Sequence, residues 1–268
     1  MSLMRKRYKE INAPIVMGKR GQVAFFVILA IVIVGIFALL VVYPRVRVSV
    51  SEANPSQYLR DCLEPAIDEV LPSITMHGGY LQPAPFVLFE GERIQYLCYT
   101  AENYKPCIVQ QPLLVNHVQT EIQNYIEPRA RECMQNIVGI YEQKGYQVSR
   151  GNAAVNVTLA LQKIDVEFVT PLTLTKEGSQ TFRRVSFTRA SELYDLLMIA
   201  TSIVDFSSTL GDSETLSYVQ FYPDLKIEKL KKEGDTIYTV TNVVTKEQFR
   251  FATRSLVWPA GYGGATNA

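Results

Sequence analysis

Histidine is almost missing from this chain: His77 and His117 are the only two in 268 residues. Imidazole chemistry near neutral pH must therefore run through one of them or not at all. Nucleotide cradles are missing as well, with no G-x-x-x-x-G-K-[ST] and no G-x-G-x-x-G anywhere. A G-x-S-x-G nucleophile elbow is absent too. Glycine (15) and proline (13) are too scarce for a collagen or a low-complexity polymer. Net charge is +1, too little for a general nucleic-acid binder. None of the four cysteines has C-x-x-C spacing, and neither histidine stands near them in a zinc pattern, so no metal and no cofactor is expected. With no catalytic motif in view, the chain reads as a non-enzyme.

What the chain does have is a long run without charge. Val23–Tyr43 reads VAFFVILAIVIVGIFALLVVY, 21 residues lacking Asp, Glu, Lys, Arg, Asn, Gln, Ser and Pro. As a helix it spans roughly 30 Å, the hydrocarbon thickness of a bilayer. A core helix of that length would keep a polar face, and this run has none. A cleaved signal peptide would have a shorter apolar stretch and an A-x-A-like exit, whereas this run leads into Pro44-Arg45. The expected segments are a basic head (1–21), a transmembrane helix (22–44), two extracytoplasmic portions (45–145 and 146–257) and a flexible tail (258–268). Arg5, Lys6, Arg7, Lys9, Lys19 and Arg20 face Glu10 alone before the run, and only Arg45 and Arg47 follow it closely. The positive-inside rule then places the N-terminus in the cytoplasm and residues 48–268 outside a single-pass membrane anchor.

The cysteines agree with an oxidising exterior. Cys62, Cys98, Cys107 and Cys133 all lie beyond the run, and an even count there reads as two disulfides. Three pairings are possible. Cys98 and Cys107 flank a short polar stretch with Pro106 and suit a local loop. That leaves Cys62 and Cys133, each in a helical segment, to join two helices at a gain of ~3–5 kcal/mol.

The junction Lys19-Arg20-Gly21-Gln22 before an uninterrupted apolar helix resembles the processing site of archaeal type IV pilin-like precursors. That resemblance implies cutting after Gly21 and packing of the apolar helix in a filament. The chain departs from the pattern at Phe25 and Phe26, where such precursors carry Glu. More broadly, the chain resembles uncharacterised single-span archaeal surface proteins. The carriers are Gly21-Gln22-Val23, Cys62, Gly78-Gly79-Tyr80, Tyr125-Ile126-Glu127 and Cys133.

Beyond the run the pattern is α+β: a disulfide-tied helical portion, then a mainly antiparallel sheet portion. Asn54-Pro55 caps a helix with Leu59, Cys62, Leu63, Ala66, Ile67, Val70 and Leu71 on one face, stopped by His77-Gly78-Gly79. A hairpin follows around Glu90-Gly91-Glu92. A second helix runs over about 114–144 with Val118, Ile122, Tyr125, Ile126, Cys133, Ile137, Ile140 and Tyr141 inward; Pro128 kinks or divides it. Strands are expected at 154–161, 165–174, 181–187 and 236–255, with one helix at 191–207 capped by Thr188 or Ser191.

Chemistry-bearing candidates are few. His77 is expected in a turn, and His117 solvated or capping near a helix start. Glu90 and Glu92 would share a face on a strand, as a carboxylate pair for a cation or sugar requires, but are simply solvated around a turn. Asp61, Asp68 and Glu69 belong to a wet helix face. Tyr80, Tyr96, Tyr99, Tyr104 and Tyr262 suit either exposed binding loops or a sheet core. Asn156-Val157-Thr158 is the one usable glycosylation sequon.

Together these features describe a cell-surface or envelope protein acting by binding or structure. Its expected partners are the lipid bilayer and a protein or glycan outside the cell, with no nucleic acid. The alternatives are a filament subunit or other homo-oligomer, an accessory subunit of a membrane complex, and a carboxylate hydrolase, which needs two acids converging in a cleft.

Overall fold

The computed structural model describes residues 29–34, 54–151 and 154–257. Residues 29–34 are helical and belong to a unit, Met1–Glu52, distinct from the body that begins at Ala53. The rest of the apolar run and the tail from Trp258 onward lie outside the described residues.

The body opens with α1 (Pro55–Met76). Asn54 Oδ1 accepts from the Ser56 N–H at 3.1 Å, and Pro55 occupies the first turn, where a missing N–H costs nothing. Leu59, Leu63, Ile67, Val70, Leu71 and Ile74 bury one face. The helix ends at His77, and the chain turns through Gly78 (φ 73°) and Gly79 (φ 92°). A Cβ on Gly78 would sit 2.8 Å from Gln95 Cβ, and one on Gly79 2.9 Å from Val118 Cγ2. The turn therefore needs glycine for both conformation and space.

A long helix, α2 (Leu114–Gln143), packs antiparallel to α1, tied to it by Cys62–Cys133. Pro128 does not divide it: the helix is continuous, and Pro128 lines the open groove between the two helices, where the lost backbone donor is tolerated. Tyr125 is not part of the inward stripe either. It is 36% exposed and lies beside Glu69 of α1, while Ile122 and Ile126 take the core positions.

Three of the expected strands are split. The stretch 165–174 divides into β6 (Lys163–Phe168) and β7 (Leu172–Thr175), because Pro171 cannot donate to a ladder. The stretch 181–187 divides into β8 (Ser179–Phe182) and β9 (Val185–Ala190), with Arg183-Arg184 between them. The stretch 236–255 is a hairpin of β11 (Asp235–Asn242) and β12 (Gln248–Arg254). The strand expected at 154–161 is β5 (Val155–Ala160). The first hairpin is β1 (Phe86–Phe89) and β2 (Glu92–Tyr99), turning at Glu90-Gly91, so Glu92 already belongs to a strand. The pattern reading missed β3 (Ile108–Val109), β4 (Gln147–Arg150) and β10 (Leu225–Lys232).

These strands form three sheets among the described residues. The largest runs β1-β2-β12-β11-β10, with β3 on β2, and its pairs are antiparallel except β2–β12. That parallel pair joins the first hairpin to the C-terminal one. The other two, β5-β6-β9 and β4-β7-β8, are wholly antiparallel. The architecture is thus α+β with mainly antiparallel sheets and two disulfides.

One helix among the described residues, α3 (Leu193–Leu210), is long and apolar enough to cross a membrane. It is internal to the body. Leu193, Leu196, Leu197, Ala200, Ile203 and Val204 are buried in the same core as α1, α2 and the aromatic residues Tyr238, Phe249 and Phe251. Thr188 does not cap it, since it lies in β9; the cap position is Glu192, and Ser191 serves the first turn from one residue earlier, its Oγ accepting from the Leu193 N–H at 3.2 Å. A short helix, α4 (Leu216–Phe221), buries no residue and docks on α3 through a 2.7 Å hydroxyl contact between Tyr218 and Ser202.

Candidate functional site

Two depressions flank the start of α3, and Leu196 lines both. The first, about 270 Å³, lies between α1 (Asp68, Leu71, Pro72, Thr75, Met76), the end of β9 and the β11–β12 turn. Its centre is Arg189, whose Nη2 lies 2.7 Å from Asp68 Oδ1 and whose Nη1 lies 3.9 Å from Glu247 Oε1. Glu247 Oε2 in turn accepts from Ser191 Oγ at 2.9 Å and from the Glu192 N–H at 2.6 Å. Helix α3 has no side-chain cap at its own cap residue. A carboxylate from the distant turn supplies that service, favoured by the positive end of the helix dipole. Each acid of this cleft therefore has a cation or a donor.

The second depression is a groove of about 720 Å³, within the range of ligand-sized sites. One wall is α3, presenting Glu192, Asp195, Met198 and Ile199. The opposite wall is the end of α4 and the loop after it: Phe221, Tyr222, Pro223 and Asp224. The β5–β6 turn closes one side with Leu161 and Gln162, and Leu225, Asn242, Val244 and Thr245 supply the sheet edge. Phe221 is 80% exposed, and Tyr222, Leu161 and Val244 are also exposed. Large apolar side chains gathered in the open mark an interaction surface more often than scattered ones do.

The groove's charge is one-sided. Glu192, Asp195 and Asp224 line it, no Lys or Arg does, and none of the three has an ion pair among the described residues. Lys246 is close by in sequence but lines the other cleft and donates to the Val243 carbonyl. Asp195 Oδ2 is buried without a hydrogen-bond partner. Burial, reinforced by the charges of Asp195, Glu247 and Asp224 and by a side-chain hydrogen bond with Asp195, pushes the Glu192 carboxyl above its ordinary value. The helix N-terminus should act in the opposite direction, so desolvation and like-charge repulsion win here.

The residues singled out from sequence lie elsewhere. Cys62 is bonded to Cys133 and Cys98 to Cys107. His77 caps α1 and lies 3.0 Å from Glu92 through Nε2 and 3.4 Å from Ser73 Oγ through Nδ1. Ser73, His77 and Glu92 line neither of the two depressions, and Glu92 is largely exposed. Glu90 sits in the turn, 3.7 Å from Arg250, so the two acids do not act as a pair. His117 is neither solvated nor a cap. It stacks on Tyr80 at 3.9 Å, its Nε2 is buried without a partner, and burial pushes its pKa down. Tyr96 is a core residue and Tyr104 is exposed. Asp61 and Glu69 are exposed as expected, and Asp68 is exposed but engaged by Arg189. Asn156 is exposed on β5. Gly21, Gln22 and Tyr262 lie outside the described residues.

Sequence reasoning missed the groove residues. The local signals were Glu192 and Asp195 on one helix face and the Phe221-Tyr222-Pro223-Asp224 run, in which two aromatic side chains precede a helix breaker. Nothing in the pattern says that these two segments meet. No protein-family model, curated protein or solved structure matches the chain.

Proposed function

We propose that this chain is a single-pass membrane protein whose disulfide-tied body lies outside the cell and works by binding, with the groove at the start of α3 as its binding face. The observation that carries the reading is the 21-residue uncharged run preceded by six basic residues and followed by a body with two disulfides. The described part of that run, residues 29–34, is helical, with Leu29, Ile31, Val32, Ile33 and Val34 all exposed, as lipid-facing side chains would be. The acids of the groove stand on both walls, with Glu192 and Asp195 opposite Asp224, a layout that a carboxylate hydrolase also requires.

The test is thiol labelling of intact cells with a membrane-impermeant reagent, before and after an impermeant reductant. The expected result is labelling only after reduction. Reduced cysteines, reachable only after the membrane is permeabilised, would overturn the reading. N-terminal sequencing of the native protein separates the filament alternative, which requires a chain beginning at Gln22.

A further inference from the structure

We infer that the groove between α3 and α4 receives a segment of a partner protein in which Lys or Arg alternates with apolar residues. The inference rests on the binding reading above and names the partner's chemistry. Three features carry it. The groove is apolar along both walls, with Met198, Ile199 and Leu196 facing Phe221 and Pro223, so it takes side chains that leave water. Phe221 and Tyr222 stand open on the α4 side, and aromatic faces attract ammonium and guanidinium groups. Glu192, Asp195 and Asp224 supply negative charge with no basic residue in the lining. A carboxylate that is structural is normally paired with a cation or a donor, as Asp68 and Glu247 are in the neighbouring cleft.

Charge complementarity therefore selects a cationic occupant, and the apolar walls select against one that is only charged. A free inorganic cation would leave Phe221 and Met198 exposed to water. A polyanion or an acidic peptide would meet three acidic side chains with no basic residue among them. A peptide segment satisfies both demands, because it brings the Lys or Arg head to the acids and an apolar neighbour to the aromatic wall.

The experiment uses the full chain in phosphatidylcholine nanodiscs. The probe is a fluorescein-labelled, end-capped octapeptide of alternating Leu and Arg, followed by fluorescence anisotropy against empty nanodiscs. Saturable binding is expected, weakened about tenfold by Asp195→Asn combined with Asp224→Asn. Phe221→Ser, at an exposed position outside the core, should weaken it as well with the fold intact. The same peptide with Glu in place of Arg should not bind. Equal affinity in the parent and the Asp→Asn variant overturns the inference, and so does the absence of saturable binding. Arginine amide binding as tightly as the octapeptide overturns it too, because the groove would then be a small-cation site. The titration does not depend on which side of a membrane the body occupies. Cytoplasmic cysteines would sink the anchoring reading and leave this measurement standing.

Discussion

On one side of the α3 N-terminus each acid has a cation or a donor from another element, and on the other no acid has a cation among the described residues. Asp68 and Glu247 share Arg189, and Glu247 also holds the Ser191 hydroxyl and the Glu192 N–H. Glu192 and Asp195, across Leu196 from them, have a hydrogen bond to each other but no cation, and Asp224 has no ion pair among the described residues. The paired cleft can be explained by folding alone: it fastens α1, β9 and the β11–β12 turn to the start of a core helix. The groove has no such cation: burial and then like-charge repulsion raise the Glu192 pKa, and no basic side chain lines the site to offset them. Two depressions of similar surroundings thus differ in whether their charge belongs to the fold or is free for a ligand.

The comparison is broken most strongly through α1, which forms a wall of the paired cleft and none of the groove. Cys62–Cys133 closes a separation of 71 residues and Cys98–Cys107 one of 9. On the chain-entropy model, removing the first by Cys62→Ser with Cys133→Ser costs about 4 kcal/mol, against about 2.5 kcal/mol for the second. Urea unfolding of the two double variants measures the difference. Amide exchange should rise first along α1 near Asp68, with the groove wall of α3 protected until global unfolding. Equal losses for the two bridges would contradict this account.

Next in size is the carboxylate that divides the depressions. Glu247→Ala strips the Glu192 N–H and the Ser191 hydroxyl of their acceptor and leaves Asp68 as the one carboxylate beside Arg189 among the described residues. Hydrogen bonds to a charged group at a helix start put the loss at about 2 kcal/mol. Glu247→Gln keeps one acceptor oxygen and should recover part of it. Thermal or urea unfolding decides, and an unchanged midpoint for Glu247→Ala would show that the turn does not cap α3.

Much of the fold was legible because helices announce themselves locally. Leu59, Leu63 and Ile67, then Leu193, Leu196, Leu197 and Ala200, recur at helical spacing and are all buried. Asn54-Pro55 and the Gly78-Gly79 turn punctuate as their chemistry requires. Strands were less readable. Alternation continues across Val169-Thr170-Pro171, so β6 and β7 looked like one strand until the proline was given its proper weight. β10 was hidden by its four lysines, Lys226, Lys229, Lys231 and Lys232, which suit a sheet edge and dilute the apolar signal. The β2–β12 pairing was out of reach, because parallel partners distant in sequence leave no local mark. The groove was illegible for the same reason. Glu192 and Asp195 meet Asp224 only because α4 folds back onto α3 through Tyr218 and Ser202, a contact no spacing rule encodes.

The smallest expected effect sharpens the contrast most, because its sign is opposite. The folded-state pKa of Glu192 is raised by burial first and by its acidic neighbours second. A carboxyl that holds its proton more tightly when folded is penalised as pH rises from its unfolded value through its folded one. Below the unfolded value both states are protonated and the penalty vanishes. Glu192→Gln removes the titration and should therefore match the parent near pH 3 and equal or exceed it at pH 7. Solvent screening at this partly exposed site keeps the gain small. Glu247→Gln should instead lose stability at pH 7, since that side chain accepts from the Ser191 hydroxyl and the Glu192 N–H and faces Arg189. Urea midpoints of the parent and both variants across that pH range give the two signs directly. A Glu192→Gln variant less stable than the parent at neutral pH would mean that its charge, like that of Glu247, is part of the fold. The groove would then lose its claim to be different from the cleft beside it.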